Sequence, residues 1–515
     1  MARPGWHTNP IHLSCCHIML LLGIDLGTSS VKVSVVDAVT QQCVASASYP
    51  DTEAAITVPQ PGWAEQDPDL WWEYAGKAIL RCHASGTYKT TDIGAIGIAY
   101  QMHGLVLTDK EQRVLRPSII WCDSRAVTLG DEAFNALGTS YCQTHLLNSP
   151  GNFTASKLAW VKKNEPAVYA AADKMMLPGD FLAMRLTGEC TSTVSGLSEG
   201  MYWDFATGTL SQELLKYWGL NESLIAPVTP LFSEHGRLLP QVAEALQLRA
   251  GIPVTYKAGD QPNNALALNV LAPGELAATA GTSGVVYAVS GELAGDSLSR
   301  INSFAHVNHT TADPRIGLLL CINATGIFQK WIKGIAGQEC SYPQLNELAA
   351  DAPSGSDGLL AIPFGNGAER MLQNRITGAH FHHIDLNKHG RPHMARAVQE
   401  GIAYAFRYGV DIMKENAVPA QVVRASRANL FLSSLFAQAF ADLNQVSVEF
   451  FDGDGSFGAA LGAGIGAGVY ASAAEAAMLR KPTGRIDPRH QPALEEGYIN
   501  WKQWLQLHLS QSEKK

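Results

Sequence analysis

Two aspartates in this chain stand where carboxylates do chemistry. Asp25 follows the apolar run 20–24 and precedes Gly27-Thr28-Ser29, with Lys32 just beyond. Asp260 ends a second run, 254–258, within Gly259-Asp260-Gln261-Pro262. A carboxylate at a strand end can hold a hydrated magnesium ion, which favours carboxylate and water oxygens. It can also act as a general base towards a hydroxyl. Aspartate caps helices as well, so the spacing leaves base and cap both open for Asp260. For Asp25 the plain alternative is a solvated aspartate beside a glycine hairpin. Glycine lets main chain approach a ligand, and successive N–H groups beside small hydroxyls cradle phosphate. Gly27, Thr28 and Ser29 offer one such turn, and Gly281, Thr282 and Ser283, followed by Gly284, offer another. Neither is a Walker loop, because GxxxxGK[ST] is absent. Two such turns facing each other would clamp a nucleotide triphosphate from both sides.

A third group, Tyr100-Gln101-Met102-His103-Gly104, follows the apolar run 93–99. Gln101 and His103 offer directional hydrogen bonds suited to a polyhydroxylated ligand; the alternative is a surface loop. Glycines recur at helical spacing from Gly455 to Gly468, which fits close helix packing or an approach to adenine, packing being the simpler. His380, His382 and His383, followed by Asp385, Asn387 and Lys388, read as a surface stretch in preference to a metal site.

The elements that must position these groups alternate strand and helix. β-rich runs at 20–24, 31–36 and 43–49, joined by tight turns, predict an antiparallel meander. Asp67 before Pro68 predicts an N-cap and a helix to about residue 83. Strands at 93–99, 118–121 and 254–258 and helices near 156–163 and 179–186 complete this half. The pattern then restarts. Ala277 to Tyr287 reads strand, Gly-Thr-Ser turn, strand, which is the design of Leu22 to Lys32. Either the halves are homologous or a common turn string recurs by chance. Strands at 316–322, 358–363, 421–424 and 446–450 and helices at 325–336, 392–415, 430–443 and 456–470 follow. The expectation is an α/β architecture with a boundary near 265–272 and a cleft between two domains. Residues 1–18 form an extension expected to be disordered, 19–267 a first domain and 268–515 a second.

Composition excludes several classes. With 46% hydrophobic residues and a net charge of −9, the chain is not intrinsically disordered. Its mild acidity lacks the basic footprint of a nucleic-acid binder and the polybasic segments that hold a membrane surface. No apolar run approaches the ~20 residues of a membrane helix. The run 18–24 imitates a signal peptide only loosely, being short, broken by Gly23 before Asp25, and without a small-residue cleavage site. Nine cysteines without a CxxC pair predict reduced thiols, no structural zinc and a cytoplasmic location.

The strings GIDLGTSSVKV, PGWAEQDPDLWW, YQMHG, RPSIIWCDSRA, GDQPNNAL and AGTSGVVY resemble the FGGY sugar kinases from about residue 19 to 500. The resemblance implies the actin-like ATPase fold, two ribonuclease-H-like domains around a central cleft. It implies ATP-dependent phosphorylation of a ketopentose, most directly D-xylulose to D-xylulose 5-phosphate, with Mg2+. Asp260 matches the aspartate that takes the proton from the sugar hydroxyl, and Asp25 the one that organises magnesium. Met102 and His103 match the sugar-contacting pair of the xylulose-specific members, with Gln101, Asp260 and Gln261 as further substrate contacts. Gly27 to Ser29 and Gly281 to Ser283 match the two phosphate loops, and Gly326 and Asn429 lie where the family contacts adenosine. Two departures stand out. The stretch 423–429 lacks the family's Gly-Gly run, and Gln261 stands where many members of this type have asparagine. The partners implied are a small sugar and ATP, with no nucleic acid and no membrane, and a homodimer is left open. Ribulose or glycerol as acceptor, a non-metabolic actin-like ATPase and a silent sugar sensor are the alternatives. Against the last two, the final hundred residues resemble no peptide-binding domain, and both aspartates are retained.

Overall fold

The Gly27–Ser29 turn joins the first two strands of a five-stranded sheet in the structure, a computed structural model that describes residues 19–336 and 340–512. The extension 1–18 lies outside the described residues. β1 (Leu20–Leu26), β2 (Val31–Asp37) and β3 (Cys43–Tyr49) form the expected antiparallel meander. α1 (Pro68–His83) leads into β4 (Ile93–Tyr100). After α2 (Thr154–Asn164), α3 (Pro178–Thr187) and α4 (Val194–Glu199), β5 (Val254–Gly259) completes the sheet in the order β5-β4-β1-β2-β3. β4 runs parallel to both β1 and β5.

β1 reads as a continuous apolar run because both faces of the sheet are covered. Leu20, Leu22, Ile24 and Leu26 pack with Trp71, Ala75 and Phe181 of α1 and α3, while Leu21 points to the other face. Asp67 caps α1 by accepting from the Asp69 amide at 2.9 Å.

The second half repeats this plan. α5 (Asp260–Ala267) connects to β6 (Glu275–Ala280) and β7 (Gly284–Ser290), an antiparallel pair around the second Gly-Thr-Ser turn. β8 (Asn302–Ala305) and β9 (Ile316–Ile322) follow, then α6 (Gly326–Ala336) and the long α7 (Arg391–Glu415). β10 (Val422–Ala425), α8 (Ser434–Asn444), β11 (Val448–Phe450), α9 (Gly455–Gly466), β12 (Gly484–Ile486) and α10 (Pro492–Ser512) end the described chain. The sheet order is β8-β9-β7-β6-β10-β11-β12. An antiparallel β6-β7-β9 run beside parallel β10 and β11 mirrors β1-β2-β3 beside β4 and β5. The turn string is therefore a structural repeat and not a coincidence. The fold is the two-domain α/β plan of the actin-like ATPases.

Several elements differ from the sequence expectation, two of them large. The helix expected at 430–443 is divided: a 3-10 turn spans Asn429–Leu432, and Ser433 then caps α8 by accepting from the Phe436 amide. α10 was not anticipated; it inserts Trp501, fully buried, against Phe364. No helix among the described residues is long and apolar enough to cross a membrane.

The glycine-rich segment resolves as packing. α9 belongs to the second half by sequence but lies on the first sheet. A side chain at Gly23 or Gly97 would begin 1.9 Å from the Ser456 carbonyl or 2.0 Å from that of Ala459.

Candidate active site

The parallel register brings the ends of β1, β4 and β5 side by side: Asp25 pairs with Ala99, and Gly259 with Tyr100. Asp25, the 101–103 loop and Asp260 therefore share one edge of the sheet. Asp260 is the first helical residue of α5, and Gly259 occupies the cap position without a side-chain cap bond. The cap position open from sequence is therefore taken by Gly259, and Asp260 stands one residue inside the helix.

Burial pushes the Asp260 carboxyl up to about 6, against hydrogen bonds from the Gln261 main chain and side chain and from its own amide. Asp25 is pushed further, to about 7, first by burial, then by the charges of Asp260 and Asp454, with Lys32 opposing. Asp454 comes from the second half. It accepts from the Phe457 amide at 3.1 Å as the cap of α9 and pairs with Lys32 of the first half. Gly455 then abuts Asp25 so closely that a Cβ would lie 2.1 Å from Oδ2. Glycine is needed here for close approach.

Gln101 is buried and its amide is fully engaged. Nε2 donates to Gln66 at 3.0 Å, and Oε1 accepts from the Thr28 hydroxyl at 3.3 Å. The structure ties it to the first hairpin. Met102 is buried against the end of β5, where a Cβ on Gly259 would lie 2.7 Å from its Cγ. His103 adopts φ 62°, a left-handed conformation that histidine tolerates better than most residues. Its ring is neutral: burial, then Lys157, hold its pKa down at about 3, with the Glu199 carbonyl opposing. Lys157 donates to the His103 and Ile120 carbonyls at 2.8 and 3.0 Å, fixing both loops.

In the first hairpin Trp121 donates to the Thr28 hydroxyl at 2.9 Å, and Gln66 donates to the Thr28 carbonyl at 2.8 Å. Ser29 accepts through its carbonyl from the Ala54 amide. In the second hairpin Thr282 and Ser283 are exposed. The Gly281 carbonyl accepts from the Gly326 amide at 2.8 Å and from the Thr325 hydroxyl at 2.7 Å. A Cβ on Gly326 would lie 2.5 Å from that carbonyl oxygen, and Asn429 lies 3.6 Å from the Cβ position of Gly281. Gly281, Gly326 and Asn429 are thus neighbours.

The loop without glycines sends its side chains elsewhere. Arg424 pairs with Glu275 and Glu449, Ser426 donates to the Gly453 carbonyl at 3.2 Å, and Arg427 lies 4.4 Å over the Phe450 ring. Ser426 and Arg427 turn to the β11 side, whereas Asn429 faces the β6 turn. A cavity of about 720 Å³ between the halves, lined by Gln41, Arg427, Asp452 and Arg480, holds none of the predicted site residues.

Sequence reasoning missed Gln66, Trp121, Lys157, Glu199 and Asp454. Only Asp454 had a local signal, as a cap-type residue before the glycine-rich helix. The others reach the site by tertiary packing alone. His380 and His382 stack with His508 and Trp504 of α10, and Trp504 donates to His383 at 3.0 Å. No group of three or more potential metal ligands is arranged around an ion among the described residues.

Comparison with known proteins identifies the family. Residues 20–267 match the N-terminal domain of the FGGY family of carbohydrate kinases, and residues 276–470 match its C-terminal domain. The chain is 30% identical over 473 residues to a xylulose kinase of Escherichia coli strain K12, covering 92% of this chain and 94% of that protein. The crystal structure of xylulose kinase from Rhodospirillum rubrum superposes with a TM-score of 0.83 at 27% identity, over 95% of this chain and 98% of that one. Plasmodium falciparum glycerol kinase with ADP, at 20% identity, shares the fold with a TM-score of 0.85 over 96% and 98% of the two chains.

Proposed function

The chain belongs to the FGGY family of carbohydrate kinases, and we propose that within it this protein transfers the γ-phosphoryl group of ATP to D-xylulose, giving D-xylulose 5-phosphate. As a family member it is a sugar phosphotransferase that uses ATP. The observation that carries the finer reading is the shared surface of Met102 and the Gly259–Asp260 strand end, with His103 and Asp25 adjoining.

In this reading Asp260 orients the sugar hydroxyl and accepts its proton late in transfer. A carboxyl held near 6 is ionised at neutral pH yet more basic than an ordinary aspartate. Met102 and His103 contact the sugar, Gln261 supports its hydroxyls, and Gln101 acts through Thr28. The main-chain N–H groups of Gly27–Ser29 and Gly281–Ser283 hold the phosphates, and Gly326 and Asn429 flank the adenosine. The sugar falls to the half 19–267 and the nucleotide to 268–515.

Asp25 fits a hydrated Mg2+. Its carboxyl accepts no hydrogen bond from the described residues, and beyond the burial that chiefly raises its pKa, the repulsion from Asp260 and Asp454 is what a cation relieves. Mg2+ bound with ATP would neutralise charge on the transferring phosphoryl group.

The test is coupled ADP release with D-xylulose, the ribuloses, hexuloses and glycerol as acceptors. The highest kcat/KM is expected for D-xylulose. A higher value for ribulose or glycerol overturns the acceptor assignment, and ADP release indifferent to every sugar overturns the metabolic reading.

A further inference from the structure

His103 is held at Nδ1 by the main chain of Glu199. Its Nδ1 lies 3.1 Å from the main-chain oxygen of Glu199 and 3.8 Å from a carboxyl oxygen of the same residue. A carbonyl oxygen only accepts, so Nδ1 carries the hydrogen. Aromatic contacts fix the ring plane: Phe153 is edge-on with centroids 4.8 Å apart, and Phe304 lies at 5.2 Å. No group among the described residues bonds Nε2. A neutral imidazole with its hydrogen on Nδ1 presents a lone pair at Nε2.

Glu199 is built into the floor of this site. It ends α4, and its side chain is 2% exposed. Neither carboxyl oxygen meets a donor in good geometry, although the Tyr100 hydroxyl interacts with it. A Cβ on Gly259 would lie 2.9 Å from Oε2, so the carboxyl also touches the strand end that leads to Asp260.

We propose that the main-chain carbonyl of Glu199 locks His103 as the Nδ1–H tautomer, so that Nε2 takes only a sugar hydroxyl that donates to it. This rests on the reading above that His103 faces the sugar. The consequence is a polarity rule for the acceptor: at one carbon the site requires a hydrogen to be donated, not merely an electronegative atom.

Fluorine separates the two cases, because it accepts weakly and cannot donate. The experiment measures kcat/KM for D-xylulose and for its deoxy and deoxyfluoro analogues at C1, C3 and C4, on the wild type and on His103→Ala. At one position the deoxy sugar should lose about ten- to hundredfold. The fluoro sugar should be no better there, and His103→Ala should erase that penalty alone. A fluoro sugar that recovers most of the loss overturns the proposal. A His103→Ala enzyme that keeps the penalty at every position overturns instead the placement of His103 in the sugar site. A second readout needs no sugar. In 15N-histidine-labelled protein, with His103 assigned from the signals lost in His103→Gln, Nδ1 should be pyrrole-type and Nε2 pyridine-type. The reverse pattern, or a doubly protonated ring, overturns the proposal whatever the substrate. Glu199→Ala keeps the main-chain carbonyl and should keep the wild-type pattern. A mixed pattern in Glu199→Ala overturns the assignment of the lock to the main chain.

Discussion

The two Gly-Thr-Ser hairpins share strand geometry and differ in what supports them. The first is wired through side chains. The Thr28 hydroxyl donates to Gln101 and accepts from Trp121, and Gln66 bridges Gln101 and the Thr28 carbonyl. The second is supported from beneath through its carbonyls: Gly281 and Thr282 accept from the first amides of α6 and from Thr325, while the Thr282 side chain faces solvent. The same turn occurs twice, and each copy has the neighbours of its own half. The first hairpin is continuous with the loop that carries His103, and the second with the start of a helix and with Asn429.

The largest way to break this arrangement lies outside both hairpins. Asp260→Asn keeps size and helix start but removes the carboxylate's basicity. kcat should fall by about 10²–10⁴ with the KM for ATP near its starting value, the typical loss for a general base. Coupled ADP release checks this. A variant retaining more than about a tenth of wild-type kcat would pass the role to Asp25.

The hairpins themselves are compared by matched substitutions. Thr28→Val leaves Oε1 of the buried Gln101 without its donor, and an unpaired buried acceptor costs about 1–3 kcal/mol. Thr282→Val alters an exposed side chain and should stay within about 0.5 kcal/mol. Denaturant unfolding of both variants measures the difference. Equal losses would mean that the side-chain wiring of the first hairpin carries no stability.

How much of this was readable beforehand follows the range of the interactions. The meander, the repeated turn and the helix at Asp67-Pro68 rest on local pattern, and the sequence carries them. Asp25 and Asp260 were legible because each ends an apolar run beside glycine. The neighbours that define their chemistry were not. Asp454 reaches Lys32 only because α9 crosses to the first sheet, and Glu199 meets His103 across 96 residues of chain. Sequence also misjudged side-chain direction. Gln101 looked like a ligand group, but its amide turns to Thr28 and Gln66. The loop 423–429 lacks the glycines that the resemblance implies, and its Ser426 and Arg427 turn to the β11 side.

Gly326→Ala sharpens the comparison on the nucleotide side. The added methyl would sit 2.5 Å from the Gly281 carbonyl, which is main chain and cannot swing aside. The start of α6 must then back away from the second hairpin. The KM for ATP should rise by roughly tenfold, an effect of about 1.4 kcal/mol, with the sugar KM nearly unchanged. Initial-rate kinetics with each substrate varied decide it, and an equal rise in both constants would mean that the hairpin is not specific to the nucleotide.

The smallest expected effect tests the environment of Asp260 directly. Its carboxyl is raised to about 6 in the folded protein, against roughly 3.9 in an unfolded chain. Between those values the folded state holds the proton more tightly, so stability is lost as pH rises from about 4 to about 6 and stays lost above. Asparagine has no such titration. The Tm of Asp260→Asn minus that of the wild type should therefore grow by a few degrees between pH 4 and pH 6. Asp25 adds a smaller increment towards its own value of about 7, because the variant lacks the Asp260 charge that helps to raise it. Differential scanning calorimetry across pH 4–7, without nucleotide or Mg2+, reads the difference. A gap that shrinks with pH would mean that the carboxylate is stabilised where it stands, as a structural anchor at the start of α5. Asp260 would then lack the raised basicity that makes it the candidate base.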